Sequence, residues 1–153
     1  MPTNFSSGVV AYGSIISYAT FTNMSSGTVG TYNKVAQSVD LDSPLPEVGD
    51  INLTNNDSPN NTKEYFPGMV EPGDLDFDVV FFASAHVPIL NMVGNQIIYS
   101  WKETFTDGTT CVFPGYVKSA GVTGKTENEA LKGKIKVKLT GAAVYTAGAG
   151  ADI

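Results

Sequence analysis

The residue pattern predicts a mostly β fold, and three observations carry it. β-Branched and aromatic residues are plentiful, while long runs of Ala, Leu, Glu and Lys are scarce. Sixteen glycines and eight prolines are spread along the chain as turn punctuation. Several segments alternate apolar and polar residues with a period of two, the spacing of a strand with one buried face. At 153 residues the chain suits one domain. A domain of that size buries about 68–70% of its unfolded surface, enough for a core without staples.

Residues 1–8 are small and polar and read as an N-terminal arm. Residues 9–20, with Val9, Val10, Ile15 and Ile16, read as one strand or as two broken at Gly13. Residues 23–30 are a Ser/Gly-rich turn, and residues 32–41 read as a second strand. Residues 42–63 are dominated by Asn, Asp, Ser and Pro, with isolated Val48, Ile51 and Leu53. So long a segment without periodicity is uncommon inside a compact domain and tends to be functional. It reads as a protruding loop or loose hairpin that orders against a neighbour. Its candidate contact residues are Asp50, Asn52, Thr54, Asn55, Asn56, Asp57, Asn60, Asn61 and Lys63.

Residues 64–73 (EYFPGMVEPG) carry two Pro-Gly pairs and read as turns. The clearest strand follows at 74–82 (DLDFDVVFF): Asp74, Asp76 and Asp78 share one face, Leu75, Phe77 and Val79 the other. Residues 84–92 are the one helical candidate, with Ser84 as a possible cap, Pro88 awkwardly inside and Gly94 as a stop. Residues 96–105 and 110–117 predict a hairpin about Asp107-Gly108. Residues 120–128 read as a polar turn. In the closing segment 131–141, Lys134, Lys136 and Lys138 alternate with Ile135, Val137 and Leu139. The domain is thus expected over 9–141, with a flexible tail over 142–153.

The formal net charge is −6, and all nine basic residues are lysine. Arginine is the usual bidentate partner of phosphate, so its absence argues against tight nucleic-acid recognition. One cysteine, Cys111, allows no intrachain disulfide. No basic-then-apolar leader opens the sequence, and no run of about 20 apolar residues predicts a membrane span.

Catalytic chemistry finds no foothold. His86 is the single histidine and lacks a nucleophile-elbow context. Cys111 has no second Cys or His at ligand spacing and reads as a small packed hydrophobe. Asp74, Asp76 and Asp78 lack the Gly and distal Glu of a calcium loop. Trp101 reads as core. No enzyme activity, cofactor or metal is expected. What stands out instead is one acidic strand, one basic strand and a long polar loop, in a fold whose open edges invite pairing with other chains.

The order of these features resembles the major tail protein, or tail-tube, family of long-tailed bacteriophages. The resemblance runs over residues 9–141. It rests on the polar loop TNNDSPNNTKEYFPGMVEPG leading into DLDFDVVFF, then the short helical stretch. FTDGTTCVFPGYVKSAG and KTENEALKGKIKVKLTG follow. The same family resembles the tube protein of type VI secretion systems. It implies two packed antiparallel sheets flanked by one α-helix, and rings of six subunits stacked into a hollow tube. The implied partners are further copies of itself, a tape-measure protein, a tail terminator, tail-tip proteins and DNA in transit. The implied location is the virion tail, assembled in the bacterial cytoplasm. The loop over 42–63 would contact the neighbouring ring or subunit.

Within that frame the acidic face has two placements. In the first, some of Asp74, Asp76 and Asp78 line the lumen, where like charge discourages DNA adsorption within a screening length of about 8–10 Å. Alternatively they pair with Lys134, Lys136 and Lys138 across strands or subunits, which leaves no bare acidic wall. The rival functions are a single-ring terminator or tube-initiating protein and a carbohydrate-binding or decoration β-sandwich. The last would show aromatics clustered on one concave face.

Overall fold

The computed structural model describes residues 13–23, 25–35, 38–123 and 130–148. The expected arm at 1–8, Val9 and Val10, and the end of the tail from 149 lie outside these residues. The chain runs β1 (Ile15–Asn23), β2 (Thr28–Val29), β3 (Asn33–Lys34), β4 (Ser38–Asp42), β5 (Glu47–Asn52) and β6 (Tyr65–Glu71). It continues through β7 (Asp74–Val80), α1 (Ala83–Leu90), β8 (Tyr99–Thr104), β9 (Thr110–Thr123), β10 (Lys132–Leu139) and β11 (Val144–Thr146).

Nine strands form one antiparallel sheet with central order β2-β1-β8-β9-β10-β7-β4. β11 adds to β9, and β3 adds to β1. This sheet is folded over on itself. β7 and β8 are three strand spacings apart along it, roughly 14 Å if it were flat. Yet the Phe77 and Trp101 rings, one on each, lie 6.5 Å apart. The two halves therefore face each other as the layers of a sandwich.

β9 is the strand that both halves share. Its first part pairs with β8 and β11, its second part with β10. Gly115 sits at the changeover. A Cβ there would meet the Lys138 carbonyl oxygen at 2.8 Å and a Val137 methyl at 2.9 Å, so only glycine permits this approach. The Gly115 carbonyl also accepts a hydrogen bond from Trp101 Nε1 at 3.3 Å.

The core is built from the alternation the sequence shows. Leu75, Phe77 and Val79 of β7, Ile135, Val137 and Leu139 of β10, and Trp101, Phe113 and Ile16 of the other half are all buried in one cluster. α1 contributes Ile89, and Met92 just beyond it joins the same cluster. Burying side chains of this size contributes about 1.5–3 kcal/mol each.

Several boundaries differ from the sequence expectation, each for a physical reason. The single strand expected over 32–41 is split: β3 pairs with β1, Val35 is buried, and β4 pairs with β7 on the opposite layer. That crossing ties the two ends of the folded sheet together by the chain itself. Pro67-Gly68 is not a turn but lies inside β6, where Pro67 stands opposite Asp50 and the register slips over Gly68-Met69 between Val48 and Asp50. Pro is tolerated here because β6 is an edge strand of a two-stranded sheet, beside a bulge. The second pair, Pro72-Gly73, does turn the chain, with Gly73 at φ +84°. α1 starts one residue early, and Ser84 does not cap it; Phe82 is the N-cap without a side-chain bond. β9 runs on to Thr123, through part of the expected turn at 120–128, because β10 supplies it with a partner. Ordered pairing also extends beyond 141: Val144, Tyr145 and Thr146 face Val112, Cys111 and Thr110.

Candidate assembly surface

β5 and β6 form a two-stranded sheet of their own, separate from the nine-stranded one. Its outgoing strand lies within residues 42–63, expected as a long loop or loose hairpin, but its return strand β6 lies within residues 64–73, expected as turns. Asn52, Thr54, Asn55 and Asp57 shape its tip through local bonds. Asn52 Oδ1 accepts from the Thr54 amide at 2.9 Å, and Asn55 Oδ1 accepts from the Asp57 amide at 2.8 Å. Asn60 and Asn61 adopt left-handed φ values of 55° and 54°, a conformation Asn tolerates better than most residues. Ser58 donates to Glu64 at 2.6 Å and closes the tip. Asp50 stands opposite Pro67, and Lys63 is exposed.

The arm is more apolar than its sequence composition suggests. Every residue of β5 and all but Gly68 of β6 are exposed. Among them are Val48, Ile51, Tyr65, Phe66, Val70 and Met69, the last 90% exposed. Leu45 at the root and Leu53 at the tip are exposed too. An isolated two-stranded hairpin is marginal in water, and this one leaves large apolar side chains exposed on both its faces. The segment up to Lys63 is polar in sequence because half of the arm's apolar residues arrive on the returning strand.

The arm leaves the sandwich where β4 ends and β7 begins. Its root is held by Ser43, whose hydroxyl lies 2.8 Å from both carboxylate oxygens of Glu103. Glu103 is 1% exposed, and burial pushes its carboxyl above the usual range while the Ser43 bond pulls the other way. At Gly73 an added Cβ would meet the Leu45 carbonyl oxygen at 2.8 Å, so the two passes of the chain are tightly packed there. A shallow cleft of about 360 Å³ separates Pro46, Val70 and Pro72 from the loop 140–143.

On the outer face of β7 and β10 the acidic and basic residues stand directly opposite one another. Asp74 faces Lys138, Asp76 faces Lys136, and Asp78 faces Lys134. Lys136 Nζ lies 3.5 Å from Asp74 and 4.0 Å from Asp76, and Lys138 Nζ lies 3.7 Å from Asp74. Asp74 and Asp76 are thus paired within the protomer, as the second placement expects, whereas Asp78 forms no ion pair with a described residue. Lys134, although in register with Asp78, forms no ion pair with any described residue.

The remaining candidates are structural. His86 is buried and its Nδ1 accepts the Phe82 amide at 2.8 Å, satisfying a donor at the start of α1. Cys111 is buried, and burial raises its thiol pKa, opposite to what a reactive thiolate needs. Trp101 is fully buried beside Tyr18, with ring centroids 5.6 Å apart. Among the described residues no three His, Cys, Asp or Glu are grouped to hold a metal, and no helix is long and apolar enough to cross a membrane.

No protein-family model matches the chain, and no curated protein matches it either. Solved structures do. A chain from the tail of an empty gene transfer agent particle, refined with C6 symmetry, superposes with a TM-score of 0.66 at 14% identity, covering 87% of this chain and 95% of that one. The SPP1 tail tube gives 0.63 at 10% identity, covering 92% and 80%. A chain from the sheath/tube terminator of an extracellular contractile injection system gives 0.65 at 11%, covering 95% and 100%. The chain has the fold of these tail and tube subunits.

Proposed function

We propose that this chain is a tail-tube subunit, a structural virion protein without catalytic activity. Copies join head to tail into rings of six, and the rings stack into a hollow conduit for DNA. The observation that carries this reading is the arm: a hairpin with apolar side chains on both faces, standing off a complete sandwich, is built to be covered by another copy. A heterologous contact of this kind closes into rings when its rotation allows, and rings with unlike ends stack. The fold shared with tail and tube chains supports the same reading.

The paired Asp–Lys face suits a conduit. Lys136 and Lys138, already paired with aspartates in a chain without arginine, offer little grip to a polyanion. The tape-measure protein, the terminator and the tail-tip proteins are the expected further partners. The expected location is the virion tail, after assembly in the bacterial cytoplasm.

A second reading is a terminator or tube-initiating protein that forms one ring. It is favoured by the full coverage of a chain from a sheath/tube terminator structure. Negative-stain electron microscopy of the concentrated protein separates the two. Hollow tubes support the tube subunit, single rings that never stack support the terminator, and dispersed monomers at every concentration overturn both.

A further inference from the structure

The charges of this chain are distributed unevenly between two ends of the molecule. Between Glu47 and Glu71 the arm carries five carboxylates, Glu47, Asp50, Asp57, Glu64 and Glu71, against Lys63 alone. Glu47 and Glu71 are cross-strand partners, directly opposite each other, and both are exposed. Like charges in that position destabilise a ladder. Neither forms an ion pair with a described residue.

The lysine ladder shows the opposite imbalance. Its Lys138 end adjoins Asp74, where the arm departs, and is neutralised there. At the far end of β10, six residues and roughly 20 Å away along the strand, Lys132 faces Val80 and Thr123. Lys134 next to it faces Asp78 and Gly121. Both lysines are exposed, and neither makes an ion pair with a described residue. An acidic arm thus leaves one end of the sheet, and two lysines without an ion pair to a described residue sit at the other.

We infer that the Glu47/Glu71 pair of one copy seats on Lys132 and Lys134 of the next copy along the strand direction. The contact places cations between two carboxylates that repel each other in the free protomer. It joins unlike ends, so it is heterologous and propagates in one direction. Partly desolvated charge pairs of this kind set register and encounter rate more than raw affinity. The inference rests on the tube-subunit reading and names the surfaces through which rings stack.

The test compares the wild type with K132E/K134E and with E47K/E71K, alone and mixed, by light scattering and electron microscopy. All substituted positions are exposed, and circular dichroism checks that each variant folds. Each variant alone is expected to elongate at least tenfold more slowly than the wild type. The equimolar mixture is expected to recover growth, since each supplies the charge the other lacks. Carbodiimide cross-linking of wild-type tubes should join Glu47 or Glu71 of one copy to Lys132 or Lys134 of another. Normal elongation of either variant, or no recovery on mixing, overturns the interface while wild-type tubes leave the tube reading standing. Cross-links of the arm to Lys34, Lys102 or Lys118 instead also overturn it. A wild type that forms no tubes fails the underlying reading and this inference with it.

Discussion

The β7–β10 pair and the β5–β6 arm are both antiparallel ladders, yet they meet opposite fates. β7 and β10 each bury one face, with Leu75, Phe77, Ile135 and Val137 in the core, and match aspartate to lysine on the other. The arm buries neither face, exposes Ile51, Phe66 and Met69, and matches glutamate to glutamate. One ladder is complete within the protomer; the other leaves its apolar residues exposed. If the arm is the assembly element proposed above, stability and assembly reside in separate parts of this chain, and substitutions should separate them cleanly.

The largest expected effect lies on the complete side. Trp101→Ala removes a fully buried side chain that touches both layers and should cost about 3–5 kcal/mol in urea denaturation. A cost below about 1 kcal/mol would mean that the layers do not depend on this contact. Gly115→Ala comes next, because its Cβ collides with the Lys138 carbonyl at the strand shared by both halves. A loss of about 1–3 kcal/mol is expected from overpacking.

Glu103 tests the junction between the two regions. Its carboxyl is held above the ordinary range by burial, so the folded chain binds this proton more tightly than the unfolded one. The stability this confers is full below the unfolded carboxylate pKa. It is lost as pH rises through the folded value, with a slope of at most about 1.4 kcal/mol per pH unit. Glu103→Gln should flatten that part of the stability profile, measured by denaturation across pH. An unchanged slope would show that other carboxyls produce it.

The smallest effect on stability belongs to the arm. Deleting residues 52–61 should leave the unfolding free energy within about 0.5 kcal/mol of the wild type, as for surface changes, while tube growth fails. A deletion variant that polymerises normally would remove the arm from assembly, and one that unfolds would end the separation drawn above.

Much of the complete side was legible in the sequence. The alternation of DLDFDVVFF and of the lysine segment gave the buried and exposed faces directly, and Asp107-Gly108 gave its turn, with Asp107 accepting from the Thr109 amide at 2.9 Å. A period of two is local information. The split at Val35 was not legible, because which layer a residue pairs with is decided by partners 15–17 positions away in β1 and 34–41 positions away in β7. The strand through Pro67-Gly68 was hidden for a similar reason: without β5 opposite, a Pro-Gly pair looks like a turn. Ser84 looked like a cap, but the buried His86 ring had already taken the Phe82 amide. The arm's exposed apolar residues lay in two halves, Val48–Leu53 and Tyr65–Val70, which only pairing brings side by side.

The arm is inserted between two strands, β4 and β7, that are neighbours in the sheet. The cost of closing a loop grows with the logarithm of its length, about 0.6 kcal/mol for each doubling. Reach is therefore nearly free of charge to the sandwich. A lineage can lengthen, shorten or rewrite this insertion while the body that carries it stays the same.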